Sequence, residues 1–79
     1  MKQVINVKPL SNYILELKFE NNEVRFFDVK PYLNFGIFIE LKDENYFKNV
    51  TTQFGSIGWE NGQDFSPETL YIKGERSLE

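Results

Sequence analysis

Apolar and polar residues alternate along the stretch from residue 13 to residue 20, which is typical of a β-strand with one buried face. The apolar positions are Tyr13, Leu15, Leu17 and Phe19. A second β-prone run begins at Val24, and the Asn21-Asn22 pair before it suits a two-residue hairpin turn, because asparagine tolerates positive φ. In that register Val24 and Phe26 face the core and Phe27 faces outward. An apolar side chain on a face expected to be wet makes Phe27 a candidate contact for a partner.

The rest of the chain predicts three more strands and two or three short helices. The strands are expected at residues 2–8, 51–54 and 56–60, and the helical segments at residues 30–33, 44–49 and from Pro67 to Ile72. Ser66-Pro67 is typical of a helix start, because serine caps helices and proline suits their first turn; Asp43 is a similar cap. The apolar run Ile37–Leu41 is expected to return to the sheet as a lid. These elements predict the α+β class, with one small antiparallel sheet of four to five hairpin-connected strands.

The 79 residues are enough for one small domain, which we expect to span residues 1–72, followed by a polar tail at residues 73–79. Leu78-Glu79 is interpreted as a cloning remnant and is left out of the functional reasoning. Aromatic residues make up 16% of the chain. Small domains have little interior, so large rings are an efficient way to build a core.

The composition excludes several kinds of chemistry. The chain has no cysteine and no histidine, which removes thiolate nucleophiles, imidazole bases, disulfides and the usual zinc, copper and haem ligands. We therefore expect no cofactor and no metal. The net charge is −3 and the basic residues are scattered, which disfavours direct binding of nucleic acid. The first residues are too polar for a signal peptide or a membrane span, so a cytoplasmic location without membrane contact is expected.

The stretch from Trp59 to Tyr71 reads WENGQDFSPETLY and contains the only tryptophan, an Asn-Gly pair and an isolated aspartate. Gly55, Gly58 and Gly62 lack the lysine and the spacing of a phosphate-binding loop, and turn and bulge positions of a hairpin explain them better. Glu60 and Asp64 are a conceivable acid and base for glycoside hydrolysis, although hydrogen bonds to a turn explain Asp64 more simply, as they do Asp28. Trp59 is either a binding hot spot or, more often in a small aromatic-rich domain, part of the core.

Three stretches of the chain form one combined pattern. They read ILELKFENNEVRFFDVKPYL, GIFIELKDENYFKNV and GSIGWENGQDFSPETLY. Together they resemble the bacterial family called domain of unknown function 2442, over nearly the whole chain. The residues that fall on the family's signature are Trp59, Asn61, Gly62, Asp64 and Tyr71. Glu60 departs from it, since members usually carry proline after the tryptophan.

The resemblance implies an α+β domain with no established enzymatic activity, and it supplies no catalytic residue. It also implies relatives fused to helix-turn-helix domains and others encoded beside a second small protein, in an arrangement similar to toxin–antitoxin pairs. We therefore predict a non-enzymatic interaction module that binds another small protein through the outer sheet face or a strand edge near Phe27, a sheet-edge homodimer included. One alternative is an accessory domain of a regulator that acts through a helix-turn-helix partner. The other is a carboxylate-dependent hydrolase built on Glu60 and Asp64.

Overall fold

The computed structural model describes residues 2–77, which form six strands, two α-helices and three 3-10 segments. The strands are β1 (Val4–Leu10), β2 (Ile14–Phe19), β3 (Val24–Asp28), β4 (Thr51–Gln53), β5 (Ser56–Gly58) and β6 (Asp64–Phe65). The α-helices are α1 (Glu44–Phe47) and α2 (Pro67–Lys73), and the 3-10 segments are Ser11–Tyr13, Lys30–Tyr32 and Gly36–Lys42. None of the helices in this described part has the length and apolarity to cross a lipid bilayer.

The strands form two antiparallel sheets, ordered β1-β2-β3 and β4-β5-β6. The α+β class is confirmed, whereas the expectation of one sheet with four to five strands is wrong. The β4–β5 hairpin contacts β1 through its turn, where the Val4 N–H donates to the Gly55 carbonyl at 2.8 Å. Strand β5 also pairs with β6, and Gly58 lies opposite Asp64. This two-residue strand completes a separate sheet instead of extending the first one.

The β2–β3 hairpin has a three-residue loop, Glu20–Asn22, and not the expected two-residue turn. The Phe19 N–H donates to the Glu23 carbonyl at 2.9 Å, and Asn22 has φ 68°, as a type I turn with a bulge requires. One extra loop residue shifts the pairing by one position and inverts the faces of β3. Phe27 therefore lies opposite Leu15 and is 1% exposed. The prediction that Phe27 faces outward was wrong.

The same shift places the other apolar residues of β3 on the outer face. Val24 lies opposite Lys18 and is exposed, and Phe26 lies opposite Glu16 and is half-buried. Both were expected in the core. Phe27 instead packs edge-on against Phe65, with ring centroids 4.9 Å apart. The buried apolar side chains are Val4, Leu15, Leu17, Phe19, Phe27, Val29, Leu33, Leu41, Phe47, Val50, Ile57, Trp59, Phe65 and Leu70.

Both predicted helix caps are confirmed. The Ser66 hydroxyl accepts the Thr69 N–H at 3.1 Å, and the Asp43 carboxylate accepts the Asn45 N–H at 3.0 Å. Helix α1 ends at Phe47, slightly before the predicted end, and the following residues continue as turns. These short-range signals are reliable because the cap and the N–H groups that it satisfies are adjacent in sequence.

The chain after α2 runs beside β3. Glu75 and Phe26 exchange two backbone hydrogen bonds of 2.7 and 2.8 Å, so the middle of the β3 edge is covered. Gly74 is buried, and a Cβ there would lie 2.5 Å from the Leu70 carbonyl oxygen, which explains a glycine at this point. The segment expected to be a polar tail thus contacts the sheet at its start. Leu78-Glu79 lies outside the described residues.

Candidate functional site

The loop that follows β5 holds Trp59 inside the molecule. The indole N–H donates to the Phe47 carbonyl at 2.9 Å, and the ring is buried. The Trp59 N–H donates to the Gln63 carbonyl at 2.9 Å, which closes a turn that passes through Gly62 at φ 101°. A left-handed φ of this size favours glycine. The interpretation of Trp59 as part of the core, and of Gly62 as a turn residue, is therefore confirmed, and no partner can reach the indole.

The polar residues of this loop bond to the rest of the protein. Gln63 is 1% exposed; its amide accepts from the Tyr46 hydroxyl at 2.7 Å and donates to the Ile37 carbonyl at 2.9 Å and to Glu40 at 3.0 Å. The Asn61 amide donates to the Glu40 carboxylate at 2.8 and 3.0 Å, and its N–H donates to the Tyr46 hydroxyl. These hydrogen bonds fix the loop against the segment that contains Ile37 and Glu40. Sequence reasoning missed Gln63 and Glu40, because their partners are distant in the chain.

Glu60 and Asp64 do not share a cleft. Glu60 lines a surface concavity of about 510 Å³ together with Glu40 and Tyr46, whereas Asp64 lines another of about 300 Å³. An acid and a base for hydrolysis must face one substrate, whereas these two carboxylates line different concavities. The described residues contain no group of three or more acidic side chains able to hold a metal.

The two aspartates that were expected to cap turns behave differently. The Asp28 carboxylate accepts the Lys30 N–H at 2.9 Å, as predicted. Asp64 lies in β6, and its carboxylate has no hydrogen bond to any described residue, so the predicted turn contact of Asp64 is absent from this part of the chain.

Tyr71 anchors α2 to the β2–β3 hairpin. Its hydroxyl donates to Glu23 at 2.8 Å, and the Arg25 guanidinium lies 3.8 Å from the ring centroid while it donates to the Tyr71 carbonyl at 2.6 Å. The Tyr71 hydrogen bond, and after it Arg25, holds the pKa of Glu23 below its ordinary 4.5, although burial opposes the shift. Glu23 also pairs with Arg76 at 3.6 Å, on the solvent side of this cluster. The contacts with Glu23 and Arg25 give Tyr71 a structural role.

Three large apolar side chains are exposed within one short segment: Phe35, Ile37 and Ile39 are 65%, 58% and 51% exposed, and we call them the 35–39 ridge. Between them Phe38 points inward and stacks on Phe65 at 5.0 Å. The expectation that the whole apolar run returns to the sheet was wrong for Ile37 and Ile39. A 3-10 segment has about three residues per turn, so only one side of it can face the core.

Phe54 is exposed for a different reason. It is the first residue of the two-residue β4–β5 turn, where it has φ 49° and its side chain is fully exposed. Gly55, the second turn residue, has φ 81°. From the sequence Phe54 reads as the last residue of a strand, so its exposure was not anticipated.

The structure thus defines a small α+β domain with a well-packed core and with exposed apolar side chains on short connecting segments. The family model described as Protein of unknown function (DUF2442) matches residues 4–75. The chain belongs to this family, which confirms the resemblance noted in its sequence. No curated protein and no solved structure shows a significant match.

Proposed function

We propose that the chain is a non-enzymatic protein-interaction module that works in the cytoplasm and binds another small protein through the 35–39 ridge. The exposure of three large apolar side chains within five residues supports this function. Burying one such side chain contributes about 1.5–3 kcal/mol. Three neighbouring side chains of this kind are enough to form the centre of an interface, where a few residues carry most of the binding energy.

The proposed contact surface is the 35–39 ridge and no longer the surface near Phe27 that the sequence suggested. Phe27 is buried under β6, so a partner cannot reach it. The ridge is held in place from below by Phe38, which stacks on Phe65, and by the Gln63 amide, which bonds to the Ile37 carbonyl. A surface that is already ordered loses little conformational entropy when it binds.

The chemistry of the partner follows from the surface and the charge of the chain. An apolar groove fits three exposed apolar side chains, and a positively charged rim suits a chain of net charge −3. A second small protein encoded beside this gene, as in toxin–antitoxin pairs, is the partner that we expect. If that protein carries a helix-turn-helix, the chain is an accessory domain of a regulator.

Co-expression with the protein encoded by the adjacent gene tests this function. The two proteins should co-purify. The double variant Ile37→Ser/Ile39→Ser should raise the dissociation constant of the complex by about 100-fold, because two central apolar contacts are lost. Ile5→Ser is the matched control, because Ile5 is an isoleucine of 52% exposure outside the ridge. Equal loss in both variants, or unchanged binding by the double variant, would contradict the proposal.

A further inference from the structure

Phe54 is unfavourable for an isolated copy of the chain on two independent grounds. A bulky side chain at φ 49° occupies the left-handed region, which few residues other than glycine and asparagine adopt readily. Its ring is also fully exposed, at the tip of a hairpin that Val4 holds against β1 through the Gly55 carbonyl. An aromatic ring that is presented in this way on an ordered turn has the features of a contact residue.

A hollow that suits an aromatic ring lies at α2. It has a volume of about 240 Å³, is chiefly apolar, and is lined by Lys2, Pro67, Glu68, Tyr71 and Ile72. The Lys2 ammonium lies 5.6 Å from the centroid of the Tyr71 ring. A ring that enters the hollow would contact a proline, a second aromatic ring and a cation, and each of these interacts favourably with aromatic faces or edges.

Phe54 and the hollow belong to one side of the molecule. Phe54 and Pro67 line the same shallow concavity, which also contains Asp64, and Pro67 lines the hollow as well. Pro67 is thus common to the surface beside Phe54 and to the hollow. This neighbourhood matters because a ring and a hollow on one face can match those of a second copy reciprocally.

We propose that two copies of this chain associate through a two-fold contact in which each inserts Phe54 into the hollow of the other. Because both insertions are made at once across the two-fold axis, the contact is closed and gives a dimer, whereas insertion of one ring alone would leave a free ring and a free hollow and would give a filament. A standard interface covers about 800 Å² of each partner, roughly a sixth of the 5056 Å² surface of one copy. The 35–39 ridge takes no part in this contact, so the dimer does not depend on the proposed function.

Sedimentation velocity over a range from about 5 µM to about 500 µM tests the dimer, since an interface with one ring per copy is expected to dissociate within that range. The wild-type protein should shift from monomer to dimer. Phe54→Asn removes the ring and Ile72→Asp places a charge in the hollow, so each variant should stay monomeric. Phe35→Ser is the matched control, an exposed phenylalanine on the ridge, and it should dimerise as the wild type does.

A mixture of the two monomeric variants provides the sharper readout. The Ile72→Asp copy retains its ring and the Phe54→Asn copy retains its hollow, so one of the two reciprocal contacts is intact in the mixed pair. The mixture should therefore associate more tightly than either variant alone, by about tenfold or more. A merely structural role of Phe54 would not produce this rescue.

Three results would overturn the inference. They are a wild-type protein that stays monomeric over the whole range, a Phe54→Asn variant that dimerises normally, and a mixture that associates no better than its components. Loss of the dimer in Phe35→Ser instead would assign self-association to the ridge. Circular dichroism of each variant establishes that it is folded, so that a monomer is not mistaken for an unfolded chain.

Discussion

The β2–β3 and β4–β5 hairpins of this domain meet the same backbone requirement with different residues. The β2–β3 loop places Asn22 at φ 68°, and the β4–β5 turn places Phe54 at φ 49°. Asparagine adopts this left-handed conformation readily, whereas a bulky side chain is strained there. The β2–β3 loop therefore has a residue that suits the stability of a single copy, whereas Phe54 in the β4–β5 turn lowers that stability.

The difference separates the structural part of the domain from the contact surfaces that we propose. The Asn22 loop sets the register that buries Phe27 between the sheet and Phe65. Phe54 adds nothing to that core, because its side chain is exposed to solvent. A residue that is strained and unburied is explained better by an external contact than by the stability of one copy.

The register of the β2–β3 hairpin gives the largest expected change in the free energy of unfolding. Phe27→Ala should lower the free energy of unfolding by about 3–5 kcal/mol, because it leaves a cavity beside Phe65, whereas Phe26→Ala on the outer face should lower it by less than about 1.5 kcal/mol. Urea unfolding followed by circular dichroism measures both. A larger loss for Phe26→Ala would mean that the two-residue turn register is the real one.

The conformation of the first loop gives the next largest effect. Asn22→Val should lower the free energy of unfolding by about 1–2 kcal/mol, because a β-branched side chain fits poorly at φ 68°, while Asn22→Gly should change it by less than about 0.5 kcal/mol. The same urea titration compares the two variants. Equal destabilisation by valine and glycine would show that the Asn22 side chain matters and its φ does not.

The smallest expected effect concerns the start of β3, where Glu23 bonds to Tyr71. Because the pKa of Glu23 is lowered from 4.5 in the folded protein, its contribution to stability is present above pH 4.5 and is lost as the pH falls through the lower folded-state value. Tyr71→Phe removes the first cause of that shift. The stability difference between wild type and variant should therefore be constant near neutral pH and decrease in acid.

Unfolding titrations between about pH 7 and about pH 3 measure this decrease. Tyr46→Phe is the control, because it removes a hydroxyl that bonds to the Gln63 amide, a group that does not titrate. Its effect should be the same at every pH at which the protein is folded. A difference for Tyr71→Phe that persists unchanged into acid would contradict the role given to Glu23.

Much of the fold could be predicted because its signals are local. The alternation in β2, the caps at Asp43 and Ser66 and the turns at Gly55 and Gly62 depend on neighbours in sequence, and the structure has them where they were expected. Gly58 was expected in a turn or bulge and lies in β5 instead. The register of β3 depends on the number of residues in one loop, and two asparagines fit a loop of either length. That single ambiguity inverted the assignment of Phe27.

The candidate contact surfaces were harder to predict because they depend on distant parts of the chain. Ile37 and Ile39 are exposed because Phe38 occupies the space beside Phe65, a contact that local sequence does not reveal. The division into two sheets depends on β6, which is too short to give an alternating pattern. Phe54 was missed because nothing in its neighbourhood of residues indicates a positive φ.

Thermal unfolding of Phe54→Asn tests the central claim most directly, namely that Phe54 serves a contact and not the stability of one copy. At a concentration of about 5 µM, where binding between copies no longer stabilises the wild type, relief of about 1 kcal/mol of strain should raise the Tm by about 4–8 °C. A lower Tm for Phe54→Asn than for the wild type would contradict the account, because the ring would then stabilise the fold of a single copy.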